Sequence, residues 1–424
     1  MSRWLYVFKI PELRNKIFFV FGVLVLFRLL AAIPVPGVNL NRIQQLFQSN
    51  DFLGFVDIFA GGGLSNLSIV MIGLSPFITA SIIMQLLTLV VPRLYTLYKE
   101  EGEQGRQKFM QYTRMLMVPI SLMQAVGFTS LLRQQGAIEQ GSNFEVVVSI
   151  LMIVAGTTVL MWLGELITSK NIGNGISMLI FAGIISSVPQ QASQFIVNFD
   201  SSNLPLYAGV GIFGIIAIYF VIQITQAQRN IPISYSKQAR GNVSNANVST
   251  YLPLRVNQGG IIPIIFGISL MIFPQTIARF LVGVNNDTVS QAAQFVEQLY
   301  ANPFFYDITY FLLVFGFTFF YTQLIFEPNR IADNLQKQGG FIPGLRPGEQ
   351  TEQYLQYLSR RIVAIGATGL GLIAVLPRVV DDVTATDLNI TIGGTALLIV
   401  VSVVLETMRQ IESQIIVRDY DSLR

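Results

Sequence analysis

The sequence predicts an all-α polytopic membrane protein, with ten transmembrane helices in two inverted-repeat halves. Three observations predict it. Of 424 residues, 52% are hydrophobic and only 12% charged, against about 25% charged in a typical soluble domain. Ten apolar runs of roughly membrane-spanning length follow one another along the chain. Lysine and arginine fall almost wholly into alternate loops.

The runs are taken in order. The first, 17–33, follows Arg3, Lys9, Arg14 and Lys16. A secretory leader starts the same way, but this run ends in "PVPG" and not at a small-residue cleavage site, so it reads as a permanent span. The others are 68–91, 113–132, 146–168, 173–189, 206–226, 259–281, 306–326, 362–377 and 391–407. The fifth and ninth are short and contain glycine. Ten spans put 22 lysines and arginines on one side of the membrane and 4 on the other, with Arg28 inside the first span. The excess marks the cytoplasmic side. Both termini are therefore expected in the cytoplasm, together with large loops at 92–114, 227–256 and 327–361.

Five spans per half force opposite orientations, hence an inverted repeat. The halves are expected at 1–189 and 190–424. Two local echoes support it. Ile78 and Ile265 each lie two residues after a proline, Pro76 and Pro263. Ile180 and Ile399 each lie five after a glycine, Gly175 and Gly394.

Little in the chain is equipped for chemistry. Cysteine and histidine are both absent, which removes thiolates, disulfides and the commonest acid/base and metal-binding side chain. No metal cluster, nucleophile–base pair or phosphate loop stands out, so the chain is expected to be no enzyme and to need no cofactor. Charges are scarce within the runs; Arg28 and Glu165 stand out, and both lie near span ends, where snorkelling to the interface costs little. "GATGLG" (366–371) reads as small residues for close helix packing. Thr79, Ser81 and Gln85 in the second span and Gln124 in the third read either as interhelical hydrogen-bonding groups or as a weak polar seam between helices that can part. Three consecutive glycines (Gly61, Gly62, Gly63) precede the second span, where no regular structure is expected.

Several stretches resemble one family. "GGGLSNLSIVMIGLSPFITASIIMQLL" (61–87), "EGEQGRQKFMQYTR" (101–114), "MWLGELITSKNIGNGISMLIFAGI" (161–184), "STYLPLRVNQGGIIPIIF" (249–266) and "EPNRIADNLQKQGGFIPGLRPGEQT" (327–351) are similar to the SecY family, channel subunits of the Sec protein translocon. The likeness runs essentially end to end. It implies a protein-conducting channel that translocates unfolded secretory polypeptides and releases transmembrane segments sideways into lipid. The implied pore ring is Leu74, Ile78, Ile176, Ile180, Ile265 and Ile399. A ring of aliphatic side chains can dewet when empty and pack around any threaded sequence.

The resemblance also implies a short plug helix at about 55–65 that fills the outer funnel of the closed channel, carried by Phe55, Ile58, Phe59, Gly61, Gly62 and Gly63. Weak local structure there would let the segment leave at little cost. A lateral gate would open between spans two–three and seven–eight, with Ser81, Gln85 and Gln124 as its polar positions. Arg346, Arg240, Lys237 and Arg255 would dock a SecA-type motor ATPase or the ribosome. The loop tip 242–249, "NVSNANVS", carries no charge, unlike the basic tips usual in the family. Implied partners are SecE-like and SecG-like subunits, secretory preproteins with their signal sequences, and membrane lipid; no DNA binding is implied. The implied location is the bacterial inner membrane, or else the thylakoid membrane. Two rival readings are an inverted-repeat solute transporter, which would need a polar midplane site, and a scaffold or insertase without a through-pore.

Overall fold

A computed structural model describes residues 10–36, 57, 60–64, 67–134, 136, 143–197, 204–235, 250–282, 287–384 and 394–422. Its helices, in chain order, are α1 (Pro11–Ala31), α2 (Ser75–Val90), α3 (Pro92–Lys99), α4 (Gly102–Gln134), α5 (Asn143–Thr168), α6 (Gly175–Val197) and α7 (Leu204–Gln226). Then come strands β1 (Gln228–Tyr235) and β2 (Thr250–Arg255), and α8 (Ile262–Val282), α9 (Asp287–Ala301), α10 (Pro303–Ile325) and α11 (Pro328–Lys337). A short β3 (Gly340–Phe341), α12 (Glu349–Thr384) and α13 (Gly394–Ser422) complete the order. Each of the ten apolar runs maps mainly onto a helix. Among the described residues, four helices are long and apolar enough to cross a bilayer by length and composition, and the pair α2–α3 passes the same test together.

Prolines place the breaks. Pro76 opens α2, where its missing N–H costs nothing. Pro92 pushes Val91 into extended backbone, and α3 leaves α2 at 111°. The expected span 68–91 becomes helical only from Ser75. The residues before it are wound into turns, with Leu67 and Gly73 at positive φ.

The chain divides into two compact units, 1–202 with 268–306 and 387–424, and 203–267 with 307–386. In the first unit α2 packs on α4, α4 on α5, α5 on α6, α6 on α13, and α1 on α5 and α6. One core cluster there joins Val35, Ala60, Leu64, Leu67, Met71 and Ile72 to Ala125, Phe128 and Leu132 of α4 and Ile153 of α5.

In the second unit α7 packs on α12. The sequence reading did not foresee the small antiparallel sheet here, ordered β2-β1-β3. Gln228 pairs with Arg255, Ile231 with Leu252, and Ser234 with Phe341. Ile231 and Leu254 turn inward onto Leu355, Leu358 and Ile362 of α12, while α11 packs on α12 and β3. The two large loops expected at 227–256 and 327–361 thus hold one folded module built on the first turns of α12. "GATGLG" packs as expected. Methyl groups on Gly366, Gly369 and Gly371 would come within 2.5 Å of the Val256 carbonyl oxygen, 2.6 Å of Ile224 and 2.7 Å of Phe311.

Candidate functional site

The aliphatic positions come first. Leu74 is the residue just before α2, and its carbonyl accepts the Ile78 N–H at 3.0 Å. Both side chains are buried. Ile176 and Ile180 stand one turn apart in the first turns of α6, on one face. Ile176 is half-buried against Phe77, Met117 and Met161, and Ile180 is fully buried. Ile399, on α13, has 0% of its surface exposed. These five belong to the first unit. Ile265 belongs to the second, buried in the first turn of α8; its neighbour Phe266 meets the rings of Phe317 and Tyr321 edge-on at 5.8 and 6.1 Å.

Next is the glycine segment. Phe55, Ile58 and Phe59 lie outside the described residues, whereas Gly61, Gly62 and Gly63 lie within them. The segment 60–64 is a string of turns, as three glycines dictate, but it is neither exposed nor loose. Ala60 and Leu64 are buried in the core cluster. Asp57 accepts the Gly62 N–H on its carbonyl at 2.9 Å and the Leu64 N–H on its carboxylate at 2.8 Å. Behind it, Val35 N–H donates to Leu67 O at 2.8 Å and Ile69 N–H to Ile33 O at 3.0 Å, pinning the chain to the residues after α1. Gly61 (φ +69°) and Gly62 (φ +76°) occupy backbone that favours glycine. Arg28, expected to snorkel, is exposed in the last turn of α1 and also donates from Nη1 to the Gly61 carbonyl at 3.0 Å.

The polar positions of the expected seam fall into two kinds. Thr79 and Ser81 donate back to their own helix, to Ser75 O at 3.0 Å and Phe77 O at 2.8 Å. They are not interhelical bonds. Gln85 and Gln124 each have a buried carbonyl oxygen with no hydrogen-bond partner among the described residues. A buried acceptor left unmatched is costly. Glu165, also expected to snorkel, accepts Arg114 Nε at 2.7 Å, a pair the sequence reading missed because its members are 51 residues apart.

In the loop module, Arg346 is exposed. Its backbone is held on both sides: its N–H donates to Gln350 Oε1 at 3.3 Å and its carbonyl accepts Thr351 Oγ1 at 3.0 Å. Gly344 (φ +87°) and Gly348 (φ +95°) form the bends around it, and Leu345 packs into the module core. Arg255 is exposed at the end of β2. Lys237, Arg240 and the uncharged tip lie outside the described residues.

An aliphatic set at helix starts, a packed glycine segment and an exposed arginine on a rigid turn form no catalytic constellation. The family model for SecY matches residues 68–408. The chain belongs to the SecY family. Protein translocase subunit SecY of Thermotoga maritima is 42% identical over 98% of this chain and 95% of its own. That of Streptomyces coelicolor is 40% identical over 98% and 97%, and that of Mycobacterium leprae 39% over 99% of both. Among solved structures, a protein-conducting channel aligns with a TM-score of 0.64 at 19% identity, covering 94% of this chain and 91% of that one. Sec61 in the canine ribosome-channel complex from the endoplasmic reticulum aligns with 0.61 at 19% identity and the same coverage. A SecY protein whose plug domain stabilises the closed state and maintains a membrane seal aligns with 0.66, again at 19%. The fold of this SecY-family chain is therefore that of the channel subunits, and the chain is a multi-pass membrane protein.

Proposed function

We propose that this chain is a protein-conducting channel that passes unfolded secretory polypeptides across the membrane and releases apolar segments sideways into lipid. It is a channel subunit, not an enzyme. The observation that carries the reading is near-full-length identity, 42% over 98% of the chain, to a protein translocase subunit. The solute-transporter reading is not favoured, because the six candidate positions are all aliphatic and offer no polar midplane site.

Within that function Leu74, Ile78, Ile176, Ile180, Ile265 and Ile399 form the constriction, and about 55–65 forms the plug. Support for the plug comes from the burial of 60–64 and from the sealing plug of a SecY protein of the same fold. Ser81, Gln85 and Gln124 line the lateral gate; the unmatched Gln85 and Gln124 carbonyls suit a surface that exchanges partners on opening. Arg346 and Arg255, with Lys237 and Arg240, dock the ribosome or a SecA-type motor. The Sec61 complex with a ribosome and the exposure of Arg346 support this. A SecE-like subunit clamps the two halves, 1–189 and 190–424, and a SecG-like subunit joins the assembly. Both termini face the cytoplasm, in line with the 22-to-4 charge split.

A photo-crosslinking residue at Ile78, with a secretory precursor stalled mid-passage and a lipid-facing control position, tests the reading. An adduct at Ile78 alone is expected. An engaged precursor with no adduct would remove the constriction assignment as a whole. Deleting 56–64 is expected to make the resting channel leak ions, whereas a scaffold without a pore stays tight.

A further inference from the structure

We propose that Arg28 and Gly183 are positioning residues that latch the 60–64 segment onto the face of α6 bearing Ile176 and Ile180. This deepens the plug reading given above and rests on it.

Two independent contacts converge on Gly61. One is backbone on backbone: a methyl group on Gly183 would overlap the Cα of Gly61, and one on Gly61 would meet Phe27 Cζ at 2.5 Å and Gly183 Cα at 3.3 Å. Only glycine at both positions permits so close a crossing. The other is the bond from Arg28 Nη1 to the Gly61 carbonyl. Arg28 is an exposed residue in the last turn of α1, and the bond it donates is charge-assisted. Lifting the segment away breaks that bond, so the bond favours the seated state.

Position along α6 gives the latch its meaning. Residues 176, 180 and 183 are spaced four and three apart, so they share one helix face. Gly183 lies about 4.5 Å along the axis from Ile180. A polypeptide that shoulders the two isoleucines aside moves the face on which Gly61 rests. The crossing tolerates no added methyl and little tilt, so ring widening and plug release become one motion.

The full chain, reconstituted into liposomes with the subunits it assembles with, provides the test. The readout is resting efflux of a trapped monovalent ion with no precursor present. Deleting 60–64 tests the plug reading and is expected to leak. Gly183→Ala, which suits a helix better than glycine does, is expected to raise resting efflux on the order of tenfold. Arg28→Met is expected to do the same, with Arg28→Lys restoring part of the seal.

A leak on deletion with tight Gly183→Ala and Arg28→Met channels overturns the latch and leaves the plug standing. A tight deletion variant removes both. Where Arg28→Met fails to accumulate, the pair Gly62→Cys with Ser186→Cys decides. A methyl on Gly62 would lie 3.9 Å from Ser186 Oγ, and the chain has no other cysteine. Oxidation is expected to block precursor passage and reduction to restore it; unhindered passage through the cross-linked channel overturns the proposal.

Discussion

The glycine segment with its aliphatic neighbours and the loop module around Arg346 solve opposite problems. The first has almost no regular structure, yet it is buried and held by Asp57, Arg28 and a glycine–glycine crossing. The second is exposed, yet its backbone is fixed by a sheet, two turn glycines and the start of α12. Under the plug reading proposed above, the part that moves is held by contacts that can be broken together. Under the docking reading proposed above, the part that is recognised is held by contacts that stay made, so its exposed side chains keep a fixed geometry for a partner to read.

The sharpest way to break this contrast is Ile399→Asp. It places an unpaired carboxylate where 0% of the native side chain is exposed, at an expected cost of more than about 4 kcal/mol. Folded protein should fail to accumulate; unchanged thermal unfolding in detergent would mean that site is wet. Leu355→Ala hollows the loop module at another residue with 0% exposure. It is expected to cost about 3 kcal/mol and to open 227–256 to protease, leaving resting ion efflux unchanged. Ile78→Val removes one methylene from the proposed constriction, at about 1 kcal/mol, and precursor passage rate should hold because any aliphatic lining serves. Arg346→Glu should shift stability by no more than about 0.5 kcal/mol, while binding to ribosome or motor falls sharply. Unchanged binding would detach the rigid turn from docking.

Spans were legible because a bilayer demands long apolar runs and leaves loops to carry charge. Their ends were less so. The run 68–91 looks uniform by hydropathy, but Gly73 at φ +61° and Pro76 delay the helix to Ser75. The loop sheet was hidden because Pro232 and Pro253 interrupt its strands, and such prolines ordinarily argue against strand. Both lie on the faces turned away from α12, beside the inward Ile231, Ile233 and Leu254. Arg28 and Glu165 were legible as charges but not as partners of Gly61 and Arg114, because pairing across 33 and 51 residues is a property of the fold. Gly183, inside an unbroken helical run, carried no local sign that backbone would cross it.

α12 has a last consequence. It is a helix of 36 residues, of which the 28 ahead of Pro377 make about 42 Å of rod at 1.5 Å per residue. Its first turns hold the Arg346 turn through Thr351 and Gln350, and its glycines are wedged on Val256, Ile224 and Phe311 farther along. A force applied at the turn need not be passed through a relay of small rearrangements. Under the docking proposed for Arg346, it would act on one end of a lever whose fulcrum is the glycine contact, so a docked partner would do mechanical work at a distance by tilting a helix without melting it.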